Sequence, residues 1–425
     1  MDRIRSIPRS ELALLVGAMA VGFAIRLAYV IATRGHQLAG DELEYNIIGQ
    51  LFVDGHFMWS TTPWGDPHPT MTKTPLYPMI VGASYSLLGE SYDRLLALQT
   101  LLGPVSIALT WLLARRLFNP KVAIAAAIVM AIYPFAWQYE ARLYSEAIAT
   151  PLLLLALLLF LDREPTRGRA ALLGVVMGLL ILTRPALGYV FIGAAIAWIA
   201  LAGWRRGLVA TGVAVVVAAV VVTPWLVRNY QEYDSIVLTW TDAAVMYGTF
   251  NDEAANDPKF PYAWRVSSSR DAPLFEKRNE TQEDELRSKL LDNSIEWIKD
   301  HPRSIPDAFF WNGLVRFWDI QRPSYVTRQA PLEGRSKTLI AIGLAMYWVM
   351  LPLALAALVM FRRRRALVLP VAAMVLVASV IHTTAAFTRY RSILEPVIVV
   401  LACAAVSHLL AARRARNEQS VPATA

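Results

Sequence analysis

Apolar runs and polar breaks alternate along this chain at a spacing set by a bilayer. Apolar stretches of about 17–24 residues can cross a hydrocarbon core roughly 30 Å thick. They fall at about 11–33, 94–117, 121–139, 143–161, 168–184, 187–203, 207–227, 338–361, 365–386 and 391–412. One further apolar segment, Leu76–Gly89, covers only about 21 Å as a helix. Charge decides its place, because lysine and arginine collect in cytoplasmic loops. If Leu76–Gly89 does not cross, every strong basic cluster falls on one side: Arg3, Arg5 and Arg9; Arg115, Arg116 and Lys121; Arg163, Arg167 and Arg169; Arg205 and Arg206; Arg362 to Arg365; Arg413, Arg414 and Arg416. If it crosses, the first cluster is separated from all the others. The pattern therefore predicts an all-α polytopic membrane protein with about ten transmembrane helices, both termini cytoplasmic, and a half-depth or juxtamembrane helix at Leu76–Gly89.

Two polar stretches are left facing outward, Arg34–Asp93 and Arg228 to about Lys337. In the second, Leu291, Ile295 and Ile298 follow i, i+4, i+7, with Leu286, Leu290 and Trp297 beside them. This predicts an amphipathic helix near Thr281–Asp300. The aromatic run Phe309–Trp318 suits a membrane interface. The chain divides into residues 1–227, a transmembrane module that includes the outer loop 34–93; residues 228–337, the second outer loop; and residues 338–425, the C-terminal helices and basic tail.

Composition changes the picture little. Of 425 residues, 56% are hydrophobic and 17% charged, too apolar for soluble domains. A net charge of +8 would suggest nucleic acid in a soluble protein; here the basic residues punctuate apolar spans and set topology instead. The single cysteine, Cys403, excludes an internal disulfide and a cysteine-based zinc site. The basic N-terminus and long apolar core read as an uncleaved anchor.

Candidate chemistry sits at the outer ends of the spans. Asp41 and Glu42 follow the first span and Lys73 lies in the same loop. Glu140, Arg142 and Glu146 fall in YEARLYSEA, Arg184-Pro185 ends the fifth span, Arg228 ends the seventh, and Arg389-Tyr390-Arg391 joins the last two. Positive charge there runs against the topological bias and calls for an anionic partner. Arginine suits phosphate because its planar fork gives two charge-assisted hydrogen bonds. Pairing with glutamates or snorkelling to headgroups is the plainer alternative. His36, His56 and His68 share the first loop with several acids, but their spacing matches no metal-ligand motif.

The ordered set Asp41-Glu42 with Tyr45, Lys73-Thr74-Pro75-Leu76-Tyr77-Pro78, Ser145-Glu146, Arg184-Pro185, Pro224-Trp225 with Arg228-Asn229, and Arg389-Tyr390-Arg391 resembles the GT-C integral-membrane glycosyltransferases. The similarity is to the branch of the protein O-mannosyltransferases and the lipid A aminoarabinose transferases. Thr74 departs from a simple Lys-Pro-Pro. The resemblance implies a polyprenyl-phosphate-linked sugar donor, an extracytoplasmic acceptor (glycan, lipid or protein), inversion at the anomeric carbon, and a site in a bacterial inner membrane. Glycosyl transfer needs a base for the acceptor hydroxyl and cations for the leaving phosphate. The expected base is Asp41, with Glu42 and Glu146 as further acidic candidates. The expected phosphate ligands are Lys73, Arg184, Arg228, Arg389 and Arg391. Glu146 is also a candidate to orient the acceptor or a divalent metal, or to pair with Arg142; Glu42 alternatively caps its helix. A lipid-linked-sugar flippase or transporter is the competing class. It would favour paired broken helices in two related halves, which the sequence lacks.

Overall fold

A computed structural model describes residues 7–61, 67–265, 283–329 and 335–419. The described chain is almost entirely helical, as the apolar run lengths require. Helices α1 (Arg9–Ala32), α2 (Asp41–Val53) and α3 (Leu76–Leu88) are followed by α4 (Tyr92–Gln99), which continues into α5 (Leu102–Leu117). Then come α6 (Pro120–Ile132), α7 (Pro134–Trp137), α8 (Glu146–Phe160), α9 (Arg167–Thr183), α10 (Val190–Ala202) and α11 (Trp204–Tyr233). The polar stretch after α11, expected to be the second outer loop, holds α12 (Thr241–Thr249), α13 (Asp252–Ala255), α14 (Glu283–Asp300), α15 (Ser304–Ala308) and α16 (Pro323–Gln329). The chain ends with α17 (Lys337–Met360), α18 (Arg365–Ile381), α19 (Thr388–Ser392) and α20 (Glu395–Gln419). Two short antiparallel strands, β1 (Trp59–Ser60) and β2 (His68–Pro69), sit between α2 and α3.

A helix lies at each of the ten expected spans. Six helical stretches among the described residues are long and apolar enough to cross alone: Arg9–Ala32, Tyr92–Leu117, Pro185–Ala202, Trp204–Tyr233, Lys337–Met360 and Glu395–Asn417. Helices α6, α8 and α18 are apolar but shorter. Helix α3 has 13 residues and packs on α2 and α4. Arg3 and Arg5 lie outside the described residues.

The core is built by small residues that let helices approach closely. Gly174 and Gly178, one turn apart on α9, face α11; a Cβ on Gly174 would stand 2.6 Å from the Ala214 carbonyl oxygen, and one on Gly178 2.6 Å from Val221. Such small-residue faces are a common solution to packing helices in lipid, where apolar burial gives little drive. Valines on the other side of α11, such as Val216 and Val220, are left exposed, which suits a lipid-facing surface.

The outer loop corrects two expectations. The amphipathic helix runs from Glu283, and Thr281 and Gln282 lie outside the described residues. Its buried stripe is Leu286, Leu290 and Ser294, while Ile295 is exposed. The aromatic run also divides. Phe317 and Trp318 enter the bundle core, whereas Phe310 and Trp311 remain exposed. A π-helical stretch at Phe309–Arg316 inserts the extra residue that rotates these two aromatic pairs apart.

Candidate active site

The loop after the first span and the last interhelical joint meet at one point. Gly40 has φ of +56°, a conformation that glycine adopts without steric cost, and the chain turns there into α2. Asp41 is the first residue of that helix. Asp41 and Glu44, three apart, share a face, and both reach Lys73. The Lys73 Nζ lies 2.7 Å from Asp41 Oδ1 and 3.0 Å from Glu44 Oε2. The other Asp41 oxygen accepts from Arg389 at 2.5 Å. Behind Arg389 stands Glu146, the first residue of α8. Its Oε1 is 3.3 Å from Arg389 Nε and accepts a hydrogen bond from Arg184. Arg184 is aimed there by Pro185, which ends α9 and holds the preceding residue extended, at φ −152° and ψ 103°.

The result is an alternating chain, Glu44–Lys73–Asp41–Arg389–Glu146–Arg184, three acids and three bases. Tyrosines wall it. The Arg389 guanidinium lies 4.5 Å from the Tyr144 ring centroid, Arg184 4.6 Å from that of Tyr390, and Lys73 5.6 Å from that of Tyr45. Burial alone would raise the Asp41 carboxyl; Lys73 and then Arg389 outweigh it and hold it well below the ordinary carboxylate range. Burial likewise opposes charge on Lys73, but Asp41 and Glu44 reverse this and keep it a cation. The Glu146 Oε2, fully buried, has no hydrogen-bond partner among the described residues.

The loop carrying Lys73 is clamped from several sides. Thr70 Oγ1 and the Met71 amide both donate to Glu283, each at 2.7 Å. Trp240 Nε1 donates to Thr72 Oγ1 at 3.0 Å, and Thr239 Oγ1 to the Thr72 carbonyl at 2.9 Å. Arg228 belongs to this clamp: it donates to the Thr70 and Met58 carbonyls, each at 3.1 Å. It holds the loop that presents Lys73 and does not join the acid–base chain.

Two other expected residues also stand apart. Glu42, rotated about 100° from Asp41 around α2, is buried; its Oε1 accepts from the Leu143 amide at 3.0 Å, and both its oxygens lie 3.2 Å from His36 Nε2. It braces the buried irregular stretch between α7 and α8. Gln99 braces the same stretch by donating to the Glu140 and Arg142 carbonyls, each at 2.7 Å; buried backbone needs such partners. Arg391 points into the core, pairing with Asp319 at 2.8 Å and Glu395 at 2.9 Å. Arg142 lies over Tyr29 and donates to its hydroxyl at 3.2 Å, so Glu146 pairs with Arg184 and Arg389 instead.

Of the eight expected site residues, Asp41, Lys73, Glu146, Arg184 and Arg389 come together, and Glu42, Arg228 and Arg391 do not. Glu44 and Tyr144 join the site without having been singled out. The i+3 spacing from Asp41 marks Glu44; nothing in the sequence marks Tyr144. Among the described residues, no group of three histidine, cysteine or acidic side chains is placed to hold a metal. The acids of the site are each paired with a lysine or arginine in this arrangement.

Comparison with known proteins agrees with this architecture. The family model described as dolichyl-phosphate-mannose-protein mannosyltransferase matches residues 68–227, a stretch that holds Lys73, Glu146 and Arg184. The archaeal oligosaccharyltransferase AglB from Archaeoglobus fulgidus, solved with an inhibitory peptide and a dolichol-phosphate, superposes with a TM-score of 0.54 at 18% identity, over 98% of this chain and 52% of its own. This chain therefore shares the all-helical membrane fold of that oligosaccharyltransferase over nearly its whole length. It spans about half the length of AglB. ArnT from Cupriavidus metallidurans, solved with undecaprenyl phosphate, aligns over 95% of this chain and 79% of its own at 14% identity and a TM-score of 0.43. No curated protein matches the sequence. The chain is a multi-pass membrane protein that brings charges from the ends of several helices to one place.

Proposed function

We propose that this protein is an inverting glycosyltransferase that moves a sugar from a polyprenyl-phosphate donor to an acceptor on the extracytoplasmic side of a bacterial inner membrane. The observation that carries the reading is Asp41 held between Lys73 and Arg389. A carboxylate gripped by two cations is a weak base. A donor phosphate entering the site competes for those cations through charge-assisted hydrogen bonds. As Lys73 and Arg389 turn to the phosphate, Asp41 regains basicity and takes the acceptor's hydroxyl proton while the new glycosidic bond forms. The sugar–phosphate bond breaks in the same step, and the charge that develops on the leaving phosphate falls on Lys73 and Arg389. Glu146 orients Arg389 and Arg184 by pairing with both. The match to a mannosyltransferase family model and the GT-C fold support a lipid-phosphate donor. Loss and recovery of Asp41 basicity thus couples donor arrival to chemistry. A flippase or transporter has no use for a base positioned in this way.

The test is single-turnover transfer by purified Asp41→Asn with saturating donor. Asparagine keeps the size of the side chain but cannot accept the proton, and general-base assistance contributes about 10²–10⁴-fold. Transfer should fall by that factor in a folded protein. A near wild-type rate would remove Asp41 from the mechanism.

A further inference from the structure

The outer loop carries a second site, distant in sequence from the Asp41 cluster. Where α13, α14 and the start of α15 meet they line an open, solvent-facing cleft of about 430 Å³, within the size range of small-molecule sites. Trp297 lines it with His301; the two rings stack 4.3 Å apart at 17°. Trp297 Nε1 donates to Asp252 Oδ1 at 2.8 Å, which fixes the indole. Around this aromatic wall stand Asn256, Asp300 and Arg303. All three are exposed. Their side chains form no hydrogen bond or ion pair among the described residues.

The chemistry of the lining narrows the ligand. Asp252 and Asp300 together disfavour an anion. No grouping of acids and histidines here suits a metal. The charged and amide groups disfavour a wholly apolar ligand, whose binding would desolvate them without return. What remains is a neutral molecule with an apolar face for the rings and many hydroxyls. A carboxylate accepts from hydroxyls, a guanidinium donates to them, and an amide does both. From this we infer that the cavity binds a saccharide.

The cavity also backs onto the segment that carries Arg389. Tyr262, part of its lining, gives its carbonyl to Asn312 Nδ2 at 2.8 Å, and the same amide donates to the Thr383 carbonyl at 2.8 Å. Thr249 Oγ1 donates to the neighbouring Thr384 carbonyl. Residues 383–387 lead directly into α19 and Arg389. The saccharide held here is thus the acceptor glycan, and that assignment rests on the glycosyltransferase reading, while the binding itself does not.

The experiment uses the full chain in lipid nanodiscs, with saturation-transfer NMR and calorimetry. The probes are glucose, mannose, N-acetylglucosamine and a disaccharide of each. At least one should bind. Asn256→Ala and Asp300→Asn, both surface changes, should each weaken binding about fivefold, the equivalent of one hydrogen bond. Trp297→Ala should abolish saturation transfer, and Asp41→Asn should bind like wild type. Binding of none of the probes, or full binding by both surface variants, would overturn the saccharide site. Pocket-dependent binding by a wild-type protein that transfers no sugar would leave the site standing and remove only the transferase reading. Transfer that is indifferent to the pocket variants, in KM for a glycan acceptor, would overturn the assignment of the bound saccharide as the acceptor and leave the transferase reading standing.

Discussion

Arg389 and Arg391 lie two residues apart on one short helix, yet they belong to different regions with different physics. Side chains at i and i+2 point to nearly opposite faces of a helix. Arg389 faces a cluster that water reaches: Asp41 is 31% exposed, Lys73 14% and Arg389 10%. Arg391 faces a cluster that water does not reach: Arg391 is 0% exposed, Asp319 1% and Glu395 0%. That inner cluster is cross-braced by the Tyr133 hydroxyl on Glu395 at 3.0 Å, and by Thr388 Oγ1 between both Asp319 oxygens. The Arg391 guanidinium also sits 3.8 Å from the Tyr347 ring centroid. In the outer cluster Lys73 and Arg389 each pair with Asp41 and with a second acid, and water reaches them, so a partner can be exchanged; Arg391 also meets two acids, but water does not reach them. The inner one is a lock. Charge alone does not mark a functional site in such a bundle; a charge with alternative partners and a route to solvent does.

The comparison can be broken most sharply from the locked side. Arg391→Ala strands two buried carboxylates, and breaking a buried pair this way costs about 3–5 kcal/mol. The variant should show a large fall in melting temperature and in folded yield from detergent. A well-folded Arg391→Ala that lost only donor use would erase the distinction. On the exchangeable side, Arg389→Ala and Lys73→Ala should keep their melting temperatures close to wild type, since Asp41 and Glu146 each retain another cation. Each should lose about tenfold or more in catalytic efficiency for donor, from a charge-assisted phosphate contact worth about 1.5–3 kcal/mol. Wild-type donor kinetics in both would end the phosphate assignment. The smallest effect belongs to Glu44→Gln. It removes one partly exposed partner of Lys73, a contact worth about 0–1 kcal/mol, and should change donor KM less than about fivefold. A larger loss would make Glu44 a full member of the site.

Much of this was legible in the sequence, and the reason differs by element. The positions of the spans could be read because a bilayer imposes a minimum apolar length, and Leu76–Gly89 fell short of it. That Lys73, Arg184 and Arg389 would gather could be read because they break the charge bias at the ends of spans, and Asp41 and Glu146 because they stand beside the same span ends and in the motifs that carry the family resemblance. The neighbours Asp41 and Glu42, or Arg389 and Arg391, could not be separated, because which face of a helix meets the site is set by packing from distant elements. Arg228 had the right place and the wrong partners: its carbonyl acceptors lie on a loop more than 150 residues earlier in the chain. Glu283, which anchors the Lys73 loop from α14, carried no local signal at all. Periodicity along α14 marked Trp297, but not its meeting with α13 and α15, which long-range packing sets.

The central claim is that Asp41 and the donor's phosphate compete for the same two cations. It is tested most directly by the affinity of a polyprenyl phosphate for wild type and for Asp41→Asn, measured by calorimetry in nanodiscs. Removing the competing carboxylate should make the variant bind the lipid phosphate more tightly, by about tenfold, although it cannot transfer sugar. Unchanged or weaker binding would contradict the account, because it would mean that Lys73 and Arg389 are not handed from Asp41 to the phosphate.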